Sequence, residues 1–236
     1  AGNAASDGSS NEITIDASAP SAPTVDLLVT NSTTPTITGT ATVGAGETLT
    51  VTVSGATYTV TPDGSGNWSV DLATATPSSG SLTALTDGNT YEITATVTDG
   101  AGNATSDGSS DELSIDTTPP TTPTVNSLTT NDLTPTITGT ATLGAGESLT
   151  VVVNGATYNN VPVVGGNWSL NLDTATPASG SLGAFVDGVS YEVVATATDA
   201  AGNAASDGSS NEITIDASAP SAPTVDLLVT NSTTPT

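Results

Sequence analysis

LTDGNTYEITATVTDGAGN, residues 85–103, alternates apolar and polar side chains between two Asp-Gly turns. Tyr91, Ile93, Ala95 and Val97 fall on one side of an extended chain, and Glu92, Thr94, Thr96 and Thr98 fall on the other. Successive side chains of a strand point to opposite faces, so the stretch predicts a strand over 90–98 with one buried face and one wet face. No 3.6-residue period occurs here or elsewhere in the chain.

The two-residue period extends in both directions. Ile37, Gly39, Ala41 and Val43 alternate with threonines, as do Leu49, Val51 and Val53, while Trp68, Val70 and Leu72 form a further inward set. Leu113 and Ile115 close the series. The predicted strands are 23–30, 34–43, 47–53, 57–61, 67–72, 90–98 and 111–116, with turn signals GAGE, SGA, DGSGN, SSG and DGAGN between them. Seven short strands in about 100 residues predict an immunoglobulin-like β-sandwich. Trp68 and Trp168, one per unit, are expected between the sheets, and the absence of cysteine excludes an antibody-type disulfide.

The pattern returns at an offset of 100 without a gap. AGNAASDGSS at Ala1 becomes AGNATSDGSS at Ala101 and AGNAASDGSS at Ala201. Residues 1–36 and 201–236 are identical, whereas 101–136 differs from them at 14 positions, so two variants alternate. Proline-bearing connectors, IDASAPSAPTV from Ile15 and IDTTPPTTPTV from Ile115, punctuate the repeat, because proline removes a backbone donor and disfavours helix before it. The expected organisation is all-β, with tandem seven-stranded Ig-like sandwiches over 17–116 and 117–216 joined end to end by short proline-containing linkers. Residues 1–16 are expected to be the last strand of a preceding unit, and 217–236 the opening of a following one.

Charge bounds the chemistry. The 236 residues include 24 Asp plus Glu and no Lys, Arg, His or Cys, for a net charge of −24. No side-chain ion pair can form, and two carboxylates ~4 Å apart repel by about 1 kcal/mol in water and several times that near a protein surface. Clustered acids must separate, take up protons or bind metal, and a divalent cation is the expected answer at neutral pH. Nothing here neutralises a phosphate or attracts anionic lipid, which excludes nucleic acid and membrane surfaces. No apolar run is long enough to insert in a membrane. The chain lacks any base titrating near pH 7 and any cationic clamp, and it has no unique insertion to build a cleft for a carboxylate pair. No enzyme and no small-molecule substrate is expected.

Strand counting places the acids. If the chain enters each unit at its top, the connections after the second, fourth and sixth strands also lie there. The top then holds Asp16 or Asp116 of the entering linker and Glu47 or Glu147 of the GAGE turn. It also holds Asp99 with Asn103, or Asp199 with Asn203, of the turn after the sixth strand. Asp87 or Asp187 lies at the opposite end with the exit of the last strand, where Asp116 or Asp216 follows. The junction at Asp116 is expected to gather Asp116, Glu147, Asp199, Asn203 and Asp207, with Asp87 from the unit before. Asp107, Asp111 and Glu112 look like the start of an EF-hand loop but lack its central glycine and its helix, so Asp107 stands as an irregular-loop candidate. Oxygen-only donors of this kind suit Ca2+, which takes six to eight oxygens in flexible geometry. The competing reading is that Asp-Gly and Gly-Asn are turn signals in their own right.

TITGTATV, GNWSV, LTDGNTYEITATVTDGAGN and IDTTPPTTP resemble the bacterial Ig-like repeats that fill the extender regions of giant RTX adhesins, ice-binding and biofilm types among them. The resemblance implies a surface-anchored spacer, secreted by a type I route to the outside of a bacterial cell and stiffened by calcium at domain junctions. Its partners are then neighbouring repeats of the same chain, and the ligand is bound elsewhere in the parent protein. Two other readings compete. One is a module that binds carbohydrate or a cell surface, which typically exposes aromatic platforms. The other is calcium-bridged homotypic association between arrays in a biofilm. The seven aromatics, most of them at inward positions, favour the spacer.

Overall fold

The computed structural model describes residues 13–227 together with 229, 231 and 233, and every regular element among them is a strand. Two compact units form. The first comprises Ala1–Pro120 together with the loop Asp199–Ala204, and the second comprises Thr121–Thr198 and Ala205–Thr236.

The first unit runs through β1 (Thr24–Val25), β2 (Leu28–Thr30), β3 (Thr36–Thr40), β4 (Thr48–Val53), β5 (Ala56–Val60) and β6 (Asn67–Asp71). It continues with β7 (Ser79–Gly80), β8 (Asn89–Tyr91), β9 (Ile93–Thr98), β10 (Ala104–Ser106) and β11 (Leu113–Ile115). These make three sheets, β1-β3-β6, β10-β9-β4-β5-β7 and β2-β11-β8. The core is the inward set read from the two-residue period: Ile37, Leu49, Val51, Val53, Trp68, Val70, Ile93, Ala95, Val97, Leu113 and Ile115 are all buried. β9 pairs with β4 in register from Thr48↔Thr98 to Val53↔Ile93, which sets the threonines of both strands side by side on the outer face. Gly39 lies opposite Trp68 on β6, and a Cβ there would meet the Thr24 carbonyl oxygen at 2.1 Å and the indole at 2.5 Å. The glycine in TITGT is therefore a packing requirement of the tryptophan.

Four details depart from the strand expectations. Residues 23–30 break at Asp26 and Leu27, so that β1 pairs with β3 while β2 crosses to pair with β11. The strand expected over 90–98 is interrupted at Glu92, with β8 on β11 and β9 on β4. β10 returns along β9 as a hairpin through the DGAGN turn, which the sequence had left as loop. β7 is too short to show alternation, and it exists because Gly80 packs close to the Gly55 carbonyl, where a Cβ would lie 2.1 Å away.

The second unit repeats this plan. Its distinctive pieces are a short strand, Val163–Val164, beside Asn167–Asn171 where the first unit has the Asp63 turn, and Phe185 packed edge-on against Tyr191 with ring centroids 4.6 Å apart. The expected strand of a preceding unit over 1–16 lies outside the described residues as far as residue 12. Ile13 and Ile15 are described, in no strand, and are 83% and 88% exposed. The same tripeptide, Ile213–Ile215, is a strand with both isoleucines fully buried. Of the expected opening strand of a following unit, residues 217–227 are described and form no strand, and positions 228, 230, 232 and 234–236 lie outside the described residues.

Candidate functional site

The acids at the entry end of the first unit grip backbone. Asp99 closes the turn after β9: its Oδ1 accepts the N–H groups of Ala101 at 2.9 Å and Asn103 at 2.8 Å, and its Oδ2 accepts the Asn103 side-chain amide at 2.8 Å. The same amide donates to the carbonyl oxygen of Asp16 at 3.0 Å, which fixes the incoming linker. The Asn103 amide, with the turn's N–H groups behind it, holds the Asp99 carboxyl below its ordinary pKa against the upward push of burial. In the neighbouring GAGE turn, Glu47 Oε2 accepts the Gly44 N–H at 2.7 Å.

The exit end has its own clamp. Asp87 Oδ1 accepts the N–H of Thr117 at 2.6 Å and its Oδ2 accepts the Thr118 hydroxyl at 3.0 Å. These two bonds, the backbone one foremost, lower the Asp87 pKa. Asp116 Oδ1 accepts the Thr118 N–H at 3.0 Å, so two carboxylates share one threonine with no cation beside them. Asp116 also donates its own N–H to the Thr30 carbonyl at 3.0 Å. The loop Asp199–Ala204, part of the same compact unit, completes the arrangement. Asn203, only 7% exposed, donates its side-chain amide to the Asp116 carbonyl at 2.7 Å and to Asp199 Oδ2 at 2.8 Å. Asp87, Asp116 and Asn203 thus each bond to residues 116–118, and Asp199 is linked to them through the Asn203 amide. In the second unit, Asp187 accepts the Ala217 N–H at 2.6 Å and the Ser218 hydroxyl at 2.8 Å, and Asp216 accepts the Ser218 N–H at 3.3 Å.

Asp107 and Asp207 lie apart from these groups. Asp107 accepts the Ala95 N–H at 2.7 Å and the Ser109 hydroxyl at 2.8 Å, four residues or roughly 13 Å down the strand from Asp99. Asp207 makes the same bonds to Ala195 and Ser209, and Glu147 holds the Gly144 N–H at 2.8 Å. Asp16 is the entry-end counterpart of Asp116, with Oδ1 on the Ser18 N–H at 2.9 Å.

The sequence places Glu112 in an EF-hand-like loop, whereas the structure buries it, 1% exposed. Residues 107–112 interrupt the edge between β10 and β11, and across this gap side-chain carboxylates replace strand backbone. Asp107 accepts Ala95 N–H, and Glu112 Oε2 accepts Ile93 N–H at 3.0 Å, while Glu112 Oε1 has no partner. Glu212, 2% exposed, does the same with Val193 at 2.9 Å. The signal was present: glutamate recurs at 112 and 212 while the residue before it changes from Asp to Asn.

Among the described residues no three acidic side chains converge as a metal site. Pairs occur instead, and the pair on Thr118 is uncompensated. Its donors are oxygens only, which fits calcium, because that ion completes its shell with carbonyls and water beside a few carboxylates. Among the described residues no helix is long and apolar enough to cross a membrane.

Residues 8–117 match the family model described as bacterial Ig-like domain. Solved structures similar to this chain include one described for host cell surface retention of a 1.5-MDa bacterial ice-binding adhesin. It is 24% identical with a TM-score of 0.38, over 85% of this chain and 66% of that chain, so this chain spans just under two thirds of it. A chimeric titin tandem is 13% identical over 82% of this chain and 99% of its own, with a TM-score of 0.31. The tandem Ig repeats of Dlar are 12% identical over 84% and 99%, with a TM-score of 0.25. No curated protein matches the chain.

Proposed function

We propose that this chain is a tandem of bacterial Ig-like domains and part of the extender of an adhesin on the outer surface of a bacterial cell, secreted by a type I route. In this role they hold a ligand-binding region, located elsewhere in the parent protein, away from the cell. The observation that carries the reading is the linker 116–118, held by Asp87 on one side and by Asn203 on the other. A connector held by side chains is stiffer than a free one of the same length. Ungapped repetition supports the same role, because length is what repetition supplies.

Calcium is the proposed resident ion. At the linker, the Asp87–Asp116 pair would hold it; at the entry end, Asp16, Asp99 and Asn103 would. Bound there, it would neutralise carboxylates that have no cation of their own. These residues meanwhile orient the linker through their own hydrogen bonds. Extracellular modules bind calcium at ~10⁻⁴–10⁻³ M, so such sites would fill outside a cell. No catalytic role is proposed.

Small-angle scattering of the chain in calcium and in EGTA tests the reading. An extended particle in calcium that becomes more flexible in EGTA is expected, and identical profiles would remove calcium from the mechanism. Retention of the chain on a glycan array would favour a carbohydrate-binding module instead. Calcium-dependent sedimentation as larger species would favour homotypic association.

A further inference from the structure

We propose that the second unit carries a contact face for a second copy of this chain, on the outside of its four-stranded sheet, and that this contact needs no calcium. The sheet is made of Thr124–Val125, Thr136–Thr140, Asn167–Asn171 and Val163–Val164. Its outward side chains pair in register, Thr136 with Asn171, Thr138 with Ser169 and Thr140 with Asn167, and all six are exposed. Asn126 joins them, its side-chain amide donating to the Thr138 hydroxyl at 3.0 Å. None of these side chains carries a charge.

The same face of the first unit is acidic. Asp26 stands where the second unit has Asn126, and its Oδ2 accepts the Thr38 hydroxyl at 2.7 Å. Asp71, in register with Thr36, stands where the second unit has Asn171. Asp63 stands where it has Val163, and accepts the outward side-chain amide of Asn67 at 3.3 Å. Three acids on one face of the first unit are thus all neutral in the second. Two acids without a counterpart in the first unit, Asp132 and Asp173, lie off these strands, in the loop before Thr136–Thr140 and the turn after Asn167–Asn171.

Loss of Asp63 changes shape as well as charge. In the first unit this carboxylate folds residues 63–67 into a turn by accepting the N–H groups of Ser65 at 2.8 Å and Asn67 at 2.9 Å. With valine in its place, Val163 and Val164 pair with Trp168 and Asn167 as an edge strand, and Val164 stands 78% exposed. Beside it opens a groove of about 580 Å³ lined by Asn126, Thr138, Pro162, Val164, Asn167 and Ser169. The uncharged face therefore has both a projection and a recess. In a two-fold contact the projection of each copy enters the recess of the other, the self-complementarity that an isologous interface requires.

The charge pattern selects the occupant. A cationic partner would be drawn to the acids of the first unit and gains nothing from their removal. Clearing acids helps most a partner that they repel, and this chain, at −24 with no Lys or Arg, is itself such a partner. A four-stranded face five residues long covers roughly 300 Å². That is below the ~800 Å² per partner of a standard interface, so one contact is weak and repeated contacts add.

Dilution of the full chain in EGTA, followed by amide NMR and by sedimentation, tests the contact. The amide signals of Asn126, Val164, Asn167 and Ser169 should move with concentration, while those of Asp26, Asn67 and Ser69 stay fixed. Raising salt from about 0.05 M to about 0.5 M should strengthen the association, because screening removes the repulsion between copies. Asn126→Asp with Asn171→Asp introduces acids that the first unit accommodates at the same positions, and should weaken association about tenfold or more. Val186→Asp with Val189→Asp adds the same charge at exposed valines outside the groove and should leave it unchanged. Equal weakening by the two pairs, or a chain that stays monomeric with fixed signals at every concentration, would overturn the proposal. Larger species that form only in calcium would overturn it too. Movement of the same signals on adding alginate, without self-association, would make an acidic polysaccharide the occupant instead. Because the contact is read in EGTA, its failure is distinct from failure of the calcium-stiffened extender.

Discussion

The side-chain amide of Asn103 reaches across 87 positions of sequence to the carbonyl oxygen of Asp16 at 3.0 Å, and Asn203 repeats the bond to Asp116 at 2.7 Å. One asparagine in each repeat thus ties the turn after the long central strand to the linker before its own repeat. The Asp99 and Asp199 carboxylates set that amide in place, each accepting its other proton at 2.8 Å. An acid that looks like a metal ligand in sequence is already employed in aiming an amide.

Removing that amide should loosen the linker and little else. Asn203→Ala deletes two hydrogen bonds, to the Asp116 carbonyl and to Asp199 Oδ2, a net loss of about 1–2 kcal/mol. Amide hydrogen exchange should quicken at Thr117 and Thr118 while β4 and β9 keep their protection. Unchanged exchange at the linker would show that Asp87 alone holds it.

Acid should release the same clamps. The pKa values of Asp87 and Asp187 are lowered by the backbone N–H each accepts, and then by the hydroxyl. For Asp199, burial pushes upward but the Asn203 contacts, together with the N–H groups of Ala201 and Gly202, outweigh it and leave a lowered value. A carboxylate with a depressed folded value binds protons more readily once unfolded. Its contribution is therefore complete above the unfolded aspartate value of about 3.9 and is lost as pH falls through the folded value. Relief of repulsion among 24 acids acts in the opposite sense, so the useful quantity is the difference between parent and variant. Denaturant midpoints of the parent and of Asp87→Asn with Asp187→Asn should differ by a constant amount above about pH 5 and converge below about pH 3. A gap that persists in acid would mean the carboxylates act through something other than their charge.

Alternation in TYEITATVT was enough to give the sheet faces and nearly the whole core, since Ile93, Ala95 and Val97 could be buried only together. Three things stayed hidden for physical reasons. The switch between β1 and β2 is decided by which sheet has room, and β7 is too short to carry a period. The third is context: Ile13 and Ile213 have the same neighbours in sequence, yet one is 83% exposed and the other fully buried, because only one has a sheet to receive it. At the candidate site, the split of Asp99 and Asp116 to opposite ends followed from counting strands. The buried Glu112 did not, because its side chain breaks the alternation in order to replace a missing backbone acceptor.

That replacement has a measurable cost when undone. Glu112→Ala leaves the Ile93 N–H buried without an acceptor, a loss of roughly 1–3 kcal/mol, and Glu212→Ala should do the same to Val193 in the second unit. Chemical denaturation should show the destabilised unit melting first. Stability equal to the parent in both variants would mean water replaces the carboxylate without penalty.

Two glycines of the first unit should answer to alanine in different measure, because each is present for a different reason. Gly39 has no room: a Cβ would sit 2.1 Å from the Thr24 carbonyl oxygen and 2.5 Å from the Trp68 ring, and neither backbone nor a buried indole can yield. Gly39→Ala must push β1 off β3 or expel Trp68, an overpacking cost of about 3 kcal/mol or more. Gly46 has open space around it but a φ of +86°, so Gly46→Ala meets only the backbone penalty of that region, about 1 kcal/mol. Thermal melts should therefore rank Gly39→Ala well below Gly46→Ala, with Trp68 fluorescence shifted to the red only in the former. The reverse order would mean that the sheet carrying β1 gives way easily, and that Trp68 is not the fixed centre of the core.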